Sequence, residues 1–168
     1  KTYVWQLRRV LPETAGAADG PRIGSRPGAY RLRVDPGELD VDRAEGLAQD
    51  ARQALTDGHL AKAAALFTEA LDLWRGEPCD GAAVEEWEGT LAWLAELRRE
   101  LQEGLAETYV RLGRTREAIA LLRALTDEDP FREGSWARWM LALSDAGRHG
   151  AALAVYDKVE SIRVRPEW

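Results

Sequence analysis

Gly113-Arg114-Thr115-Arg116-Glu117-Ala118-Ile119-Ala120-Leu121-Leu122 returns 34 residues later as Gly147-Arg148-His149-Gly150-Ala151-Ala152-Leu153-Ala154-Val155-Tyr156. In both stretches an alanine stands five residues after a glycine, and a large apolar residue four further on. Gly58, Ala63 and Phe67 repeat the triplet a third time. Close helix packing explains the pattern. The glycine turns the chain between antiparallel helices, the alanine lets their backbones approach, and the large side chain fills the gap to the next pair.

The apolar periods around these triplets are helical from residue 42 onward. Asp42 with Glu45 three later can cap a first helix whose stripe is Leu47, Ala48, Ala51 and Leu55. Leu60, Ala64, Phe67, Leu71 and Trp74 mark a second, ending at Gly76 and Pro78. A long third runs from about Val84 to Leu112, with Trp87, Leu91, Leu94, Leu101, Leu105 and Leu112 on one side. Thr115–Glu128, Arg132–Ala146 and Gly150–Arg163 complete six helices in three antiparallel pairs. The 34-residue period is that of tetratricopeptide repeats, and Tyr109, Trp136 and Pro130 occupy positions of that pattern. The first repeat is degenerate, since 55 residues separate Gly58 from Gly113. The expected fold is all-α and tetratricopeptide-like; the competing reading is a six-helix bundle with chance glycines.

Residues 1–34 differ in kind. Seven basic groups stand against two acidic ones, a net +5, so the remainder carries −11 of a chain whose total is −6. Asp35-Pro36-Gly37 supplies a turn where the basic and acidic pieces meet. Val4, Leu7 and Leu11 give a short helix that ends at Pro12. Arg22-Ile23-Gly24-Ser25 and Ala29-Tyr30-Arg31-Leu32-Arg33-Val34, parted by Arg26-Pro27-Gly28, form a hairpin. Its second strand alternates Tyr30, Leu32 and Val34 with arginines, which predicts a half-buried strand with a basic outer face. So short a unit cannot build a core. The chain opens at Lys1, inside a helix, and is expected to be a segment of something longer.

No apolar run approaches the roughly 18 residues a membrane span requires, and no signal-peptide pattern is present. The single Cys79 excludes an internal disulfide framework, and a reducing cytoplasm is expected. His59 and His149 follow turn glycines and read as solvated corner residues, with no ligand partners at metal spacing. Glu85, Glu86 and Glu88 favour the positive end of a helix start. Of the seven tryptophans, Trp74, Trp87, Trp136 and Trp139 lie on helix stripes and read as core, whereas Trp5 and Trp93 are off-stripe. Phosphate-loop, nucleophile-elbow and dinucleotide signatures are lacking, so neither catalysis nor a cofactor is expected.

Leu73-Trp74-Arg75-Gly76-Glu77-Pro78, Asp129-Pro130-Phe131-Arg132-Glu133, Trp139-Met140-Leu141-Ala142-Leu143, Gly147-Arg148 and Ala152-Leu153-Ala154-Val155-Tyr156 together resemble the bacterial transcriptional activator domain of SARP-type antibiotic regulatory proteins. The family usually continues with Leu-Gly-x-x-Pro, where this chain ends Arg163-Val164-Arg165-Pro166-Glu167-Trp168. Residues 1–34 are similar to the last part of an OmpR-type winged-helix DNA-binding domain. Lys1 to Leu11 resembles the end of its recognition helix, and Arg22-Ile23 with Arg26-Pro27-Gly28-Ala29-Tyr30-Arg31-Leu32 resembles its wing. The resemblance divides the chain into residues 1–35 (winged-helix end) and 36–168 (activator domain). It implies a DNA-binding transcriptional activator of antibiotic genes. The implied partners are double-stranded promoter DNA, RNA polymerase holoenzyme through sigma factor and core subunits, and self-association through the repeats, with no membrane. On this basis Lys1, Thr2, Tyr3 and Trp5 would lie near the groove, Arg8 and Arg9 would reach phosphates, and Arg26 would suit a narrow minor groove. The bland reading of the same residues is a solvated basic helix. The rival function is a peptide-holding repeat scaffold without DNA binding; an enzyme ranks third.

Overall fold

A computed structural model describes residues 2–11, 21–78 and 87–163. The element order is α1 (Thr2–Val10), β1 (Ile23–Arg26), β2 (Ala29–Leu32), α2 (Asp40–Thr56), α3 (Leu60–Leu71), α4 (Glu88–Arg111), α5 (Thr115–Glu128), α6 (Glu133–Asp145) and α7 (His149–Arg163). Two compact units result, Lys1–Arg43 and Ala44–Trp168.

The second unit is the expected helical repeat. Within it α3 packs on α4, α4 on α5, α5 on α6 and α6 on α7, while α4 also touches α6. The three turn glycines are equivalent in detail. Gly58, Gly113 and Gly147 have φ of 78°, 73° and 69°. At each, the glycine N–H donates three residues back, to Leu55, Val110 or Ser144. The following N–H donates five residues back, to Ala54, Tyr109 or Leu143. This double bond pattern is the Schellman closure, and its left-handed residue is what glycine accommodates without strain. Ala63 and Ala118 are fully buried, as are Phe67 and Leu122 to within 1%. In the third repeat Ala152 is half-buried and Tyr156 is exposed.

Several boundaries differ from expectation. Helix α2 begins at Asp40, so Asp42 sits in its first turn with Asp40 rather than at its cap. There its carboxylate still favours the helix dipole. Helix α3 stops at Leu71, where successive amides of Leu73 and Trp74 bond three residues back, and Trp74 lies beyond the helix. The expected start of α4 at Val84 lies outside the described residues, as do Cys79, Glu85 and Glu86. Trp87 is not core: it is exposed, whereas Trp136 is buried, stacks on Trp139 at 5.7 Å, and donates from Nε1 to the Pro130 carbonyl at 2.9 Å.

A partly buried ionic cluster centred on Glu103 ties α4 to the start of α6. Arg132 donates from Nε to Glu103 at 2.8 Å and pairs through its terminal nitrogens with both oxygens of Glu96 at 3.0 and 2.8 Å. Ser135 Oγ donates to Glu103 at 2.9 Å, and Arg138 stands 3.4 Å from its other oxygen. Burial pushes the Glu103 carboxyl up, but the Arg132 and Ser135 hydrogen bonds and the charges of Arg138 and Arg132 outweigh it, leaving the carboxyl below its ordinary value.

Candidate nucleic-acid interface

The first unit holds the residues singled out for DNA. Pro27 and Gly28 (φ 73°) fit the central positions of a type II turn joining β1 to β2. The strands pair antiparallel with Ile23 opposite Leu32, Gly24 opposite Arg31, Ser25 opposite Tyr30 and Arg26 opposite Ala29. Alternation therefore puts Arg26 and Arg31 on one face, and Ile23, Ser25, Tyr30 and Leu32 on the other. Ile23 is the one buried hydrophobic among the described residues of this unit, at 5% exposure. Strand β2 is exposed throughout, Tyr30 and Leu32 included, so it is not the half-buried strand its alternation predicts. One buried isoleucine is too little core to cover a second apolar row.

The hairpin base is fastened by the turn that follows. Glu38 N–H donates to the Asp35 carbonyl at 3.1 Å across Pro36 and Gly37 (φ 81°). The Glu38 carboxylate accepts from Asp35 N–H at 2.8 Å and from Arg22 at 2.6 Å. Those two donors, the backbone one first, hold the Glu38 carboxyl below its ordinary value.

On α1, Trp5, Arg8 and Arg9 share one side by their spacing. The Arg9 guanidinium lies over the Trp5 ring at 4.9 Å, an i,i+4 cation–π pair, and both residues are exposed. Tyr3 falls on another side, with Leu7 and Val10, all three exposed. Lys1 and the Thr2 side chain lie outside the described residues. Arg26 is exposed at the hairpin tip. Arg8, the other arginine expected to reach a phosphate, has its fork engaged inside the unit. Nε and Nη2 donate to the Ile23 carbonyl at 3.2 and 2.7 Å, and Nη2 also donates to Ser25 Oγ at 3.0 Å. Helical periodicity carried no sign of this contact, whereas the Trp5–Arg9 spacing could have revealed the ring stacking.

The repeat unit offers a different kind of site. A groove of about 590 Å³ is lined by Ala61, Ala65, Thr68, Asp72, Tyr109 and Arg114 among others. Arg114 covers the Tyr109 ring at 4.3 Å and bonds Glu117 at 3.0 Å. Among the described residues no cluster of His, Cys, Asp or Glu could hold a metal, and no helix is long and apolar enough to cross a membrane.

Stacked helix pairs joined to an arginine-rich helix and hairpin define a repeat protein with a basic appendage. Residues 39–165 match the bacterial transcriptional activator domain, and the chain belongs to that family. It is 37% identical over 173 residues to the regulatory protein DnrI of Streptomyces peucetius, covering 98% of this chain and 62% of the relative. It is 37% identical over 157 residues to the regulatory protein AfsR of Streptomyces coelicolor, covering 93% of this chain and 15% of AfsR. The chain thus spans less than two thirds of these relatives. A solved structure of Mycobacterium tuberculosis EmbR in complex with a low-affinity phosphopeptide superposes with a TM-score of 0.80 at 28% identity, covering 96% of this chain and 42% of that one.

Proposed function

We propose that the protein acts as a DNA-binding transcriptional activator of the SARP type, regulating secondary-metabolite (antibiotic) genes. Residues 1–35 are read as the end of a winged-helix DNA-binding domain, and residues 36–168 as the activator domain. The observation that carries the reading is an exposed basic surface, with Arg9 stacked on Trp5 and Arg26 at the hairpin tip, attached to this family's repeat domain. Lys1, Thr2 and Trp5 lie toward the groove, Arg9 grips a phosphate on its rim, and Arg26 enters a narrow minor groove, while Tyr3, on the other side of α1, takes no part in that contact. The repeats mediate self-association and contacts with sigma factor and core subunits of RNA polymerase. No catalytic step or cofactor enters this role, and its setting is the bacterial cytoplasm at the nucleoid.

Duplex binding by the full-length protein over a salt series tests the reading. Affinity should fall steeply between 50 and 200 mM salt, as counterion release requires (about 0.9 ion per phosphate contacted). A co-purifying peptide seated in the groove beside Tyr109, together with no affinity for duplex DNA, would favour the scaffold reading instead.

A further inference from the structure

We propose that Arg8 is a positioning residue for DNA binding and makes no phosphate contact: it fixes the reach of the hairpin tip from α1, and so places Arg26. The inference rests on the DNA-binding reading above. Its basis is the strand register. Arg33 N–H donates to the Arg22 carbonyl at 2.8 Å, and from there every second pair, Gly24 with Arg31 and Arg26 with Ala29, is mutually hydrogen-bonded. Ile23 and Ser25 fall between those pairs, so their backbone polar groups turn to the outer edge of β1. The Ile23 carbonyl at that edge takes its hydrogen bonds from Arg8, at 2.7 and 3.2 Å.

The donor inventory shows what is left for a ligand. A guanidinium carries one N–H on Nε and two on each terminal nitrogen. Arg8 uses the Nε hydrogen and one Nη2 hydrogen on Ile23, and the other Nη2 hydrogen on Ser25 Oγ. Both edges that could present two parallel N–H groups to a phosphate include Nη2, so neither is intact, and the two hydrogens left on Nη1 cannot form the two-pronged grip. The site of attachment also has leverage. Arg26 lies three residues beyond Ile23, an arm of about 10 Å at about 3.3 Å per residue, so a swing of about 10° moves the tip by about 2 Å. Arg9 carries no such bond to the hairpin; it stacks on Trp5 at 4.9 Å and faces outward.

The test uses full-length protein and duplexes with A·T-rich and G·C-rich flanks, with binding read over a salt series. Arg8→Lys keeps the charge but loses the fork; Arg8→Ala loses both. Both should erase the flank preference contributed by Arg26, as Arg26→Ala does, and neither should change the salt slope. Combining Arg8→Ala with Arg26→Ala should cost no further preference. Ser25→Ala, which leaves every charge in place, should weaken the preference in the same direction. Arg9→Ala, by contrast, should lower the slope by about one ion. The proposal is overturned if Arg8→Ala lowers the slope by about one ion while Arg8→Lys binds as wild type does, the signature of a phosphate contact. It is also overturned if Ser25→Ala and Arg8→Lys both retain the full flank preference. A wild-type protein without salt-dependent duplex affinity defeats the DNA-binding reading itself, a result distinct from either.

Discussion

A Cβ on Gly104 would collide with Cζ of Phe67 and stand 2.6 Å from its Cε1. Phe67 is 1% exposed, so its ring has nowhere to swing. Gly104→Ala should therefore destabilise the repeat unit by about 1–3 kcal/mol, although alanine in a helix interior is itself worth about 1 kcal/mol over glycine. Thermal melts of Gly104→Ala alone and combined with Phe67→Leu check this; the smaller side chain should recover part of the loss. Glu103 makes a second residue-scale case. Its carboxylate accepts from Arg132 and Ser135 and faces Arg138, so Glu103→Gln should cost about 1–3 kcal/mol at neutral pH. Glu96 and Glu103 both titrate below their ordinary 4.5 when folded, Glu96 first through its Arg132 hydrogen bonds. The unfolded chain thus takes up protons first as pH falls, and the stabilisation, whole above about pH 4.5, is lost through the lower folded pKa. Urea midpoints from pH 7 to pH 3 should decline less steeply in Glu103→Gln than in wild type.

At the level of elements, the three glycine turns show which features of the fold could be read from residues. Gly58, Gly113 and Gly147 are breakers at fixed offsets from an alanine and a large apolar residue, and each ends its helix with the same two hydrogen bonds. Replacing Ala118, fully buried at the α4–α5 packing, with leucine should overpack the pair and cost about 1–3 kcal/mol. An unchanged melting midpoint would mean that the repeat register is misassigned. What could not be read depends on tertiary partners. Gly104 lies inside a helix with no periodic signal, and only the approach of Phe67 gives it a reason. The end of α3 at Leu71 comes with no left-handed glycine, so a stripe that continues to Trp74 overruns it. Trp87 sits on the apolar period of α4 yet is exposed. In the basic unit, the helix and hairpin were legible from spacing and turn chemistry. The bond from Arg8 to the edge of β1 was not, because it follows from strand register rather than residue pattern.

For the molecule as a whole, the charge asymmetry frames the reading: +5 over residues 1–34 against −11 over the rest. The acidic part is a repeat unit of the activator-domain family, and the basic part concentrates its exposed arginines on a helix and a hairpin. If DNA binding belongs to that small unit, its mark should be local. Amide hydrogen exchange in the full-length protein, with and without a promoter duplex at low salt, addresses this directly. Binding should slow exchange across Tyr3–Val10 and Ile23–Leu32 while leaving α5 and the face of α3 beside Tyr109 unchanged. Protection confined to the α3–α4 groove, or no change anywhere in residues 2–32 on a saturating duplex, would contradict the assignment of the DNA surface.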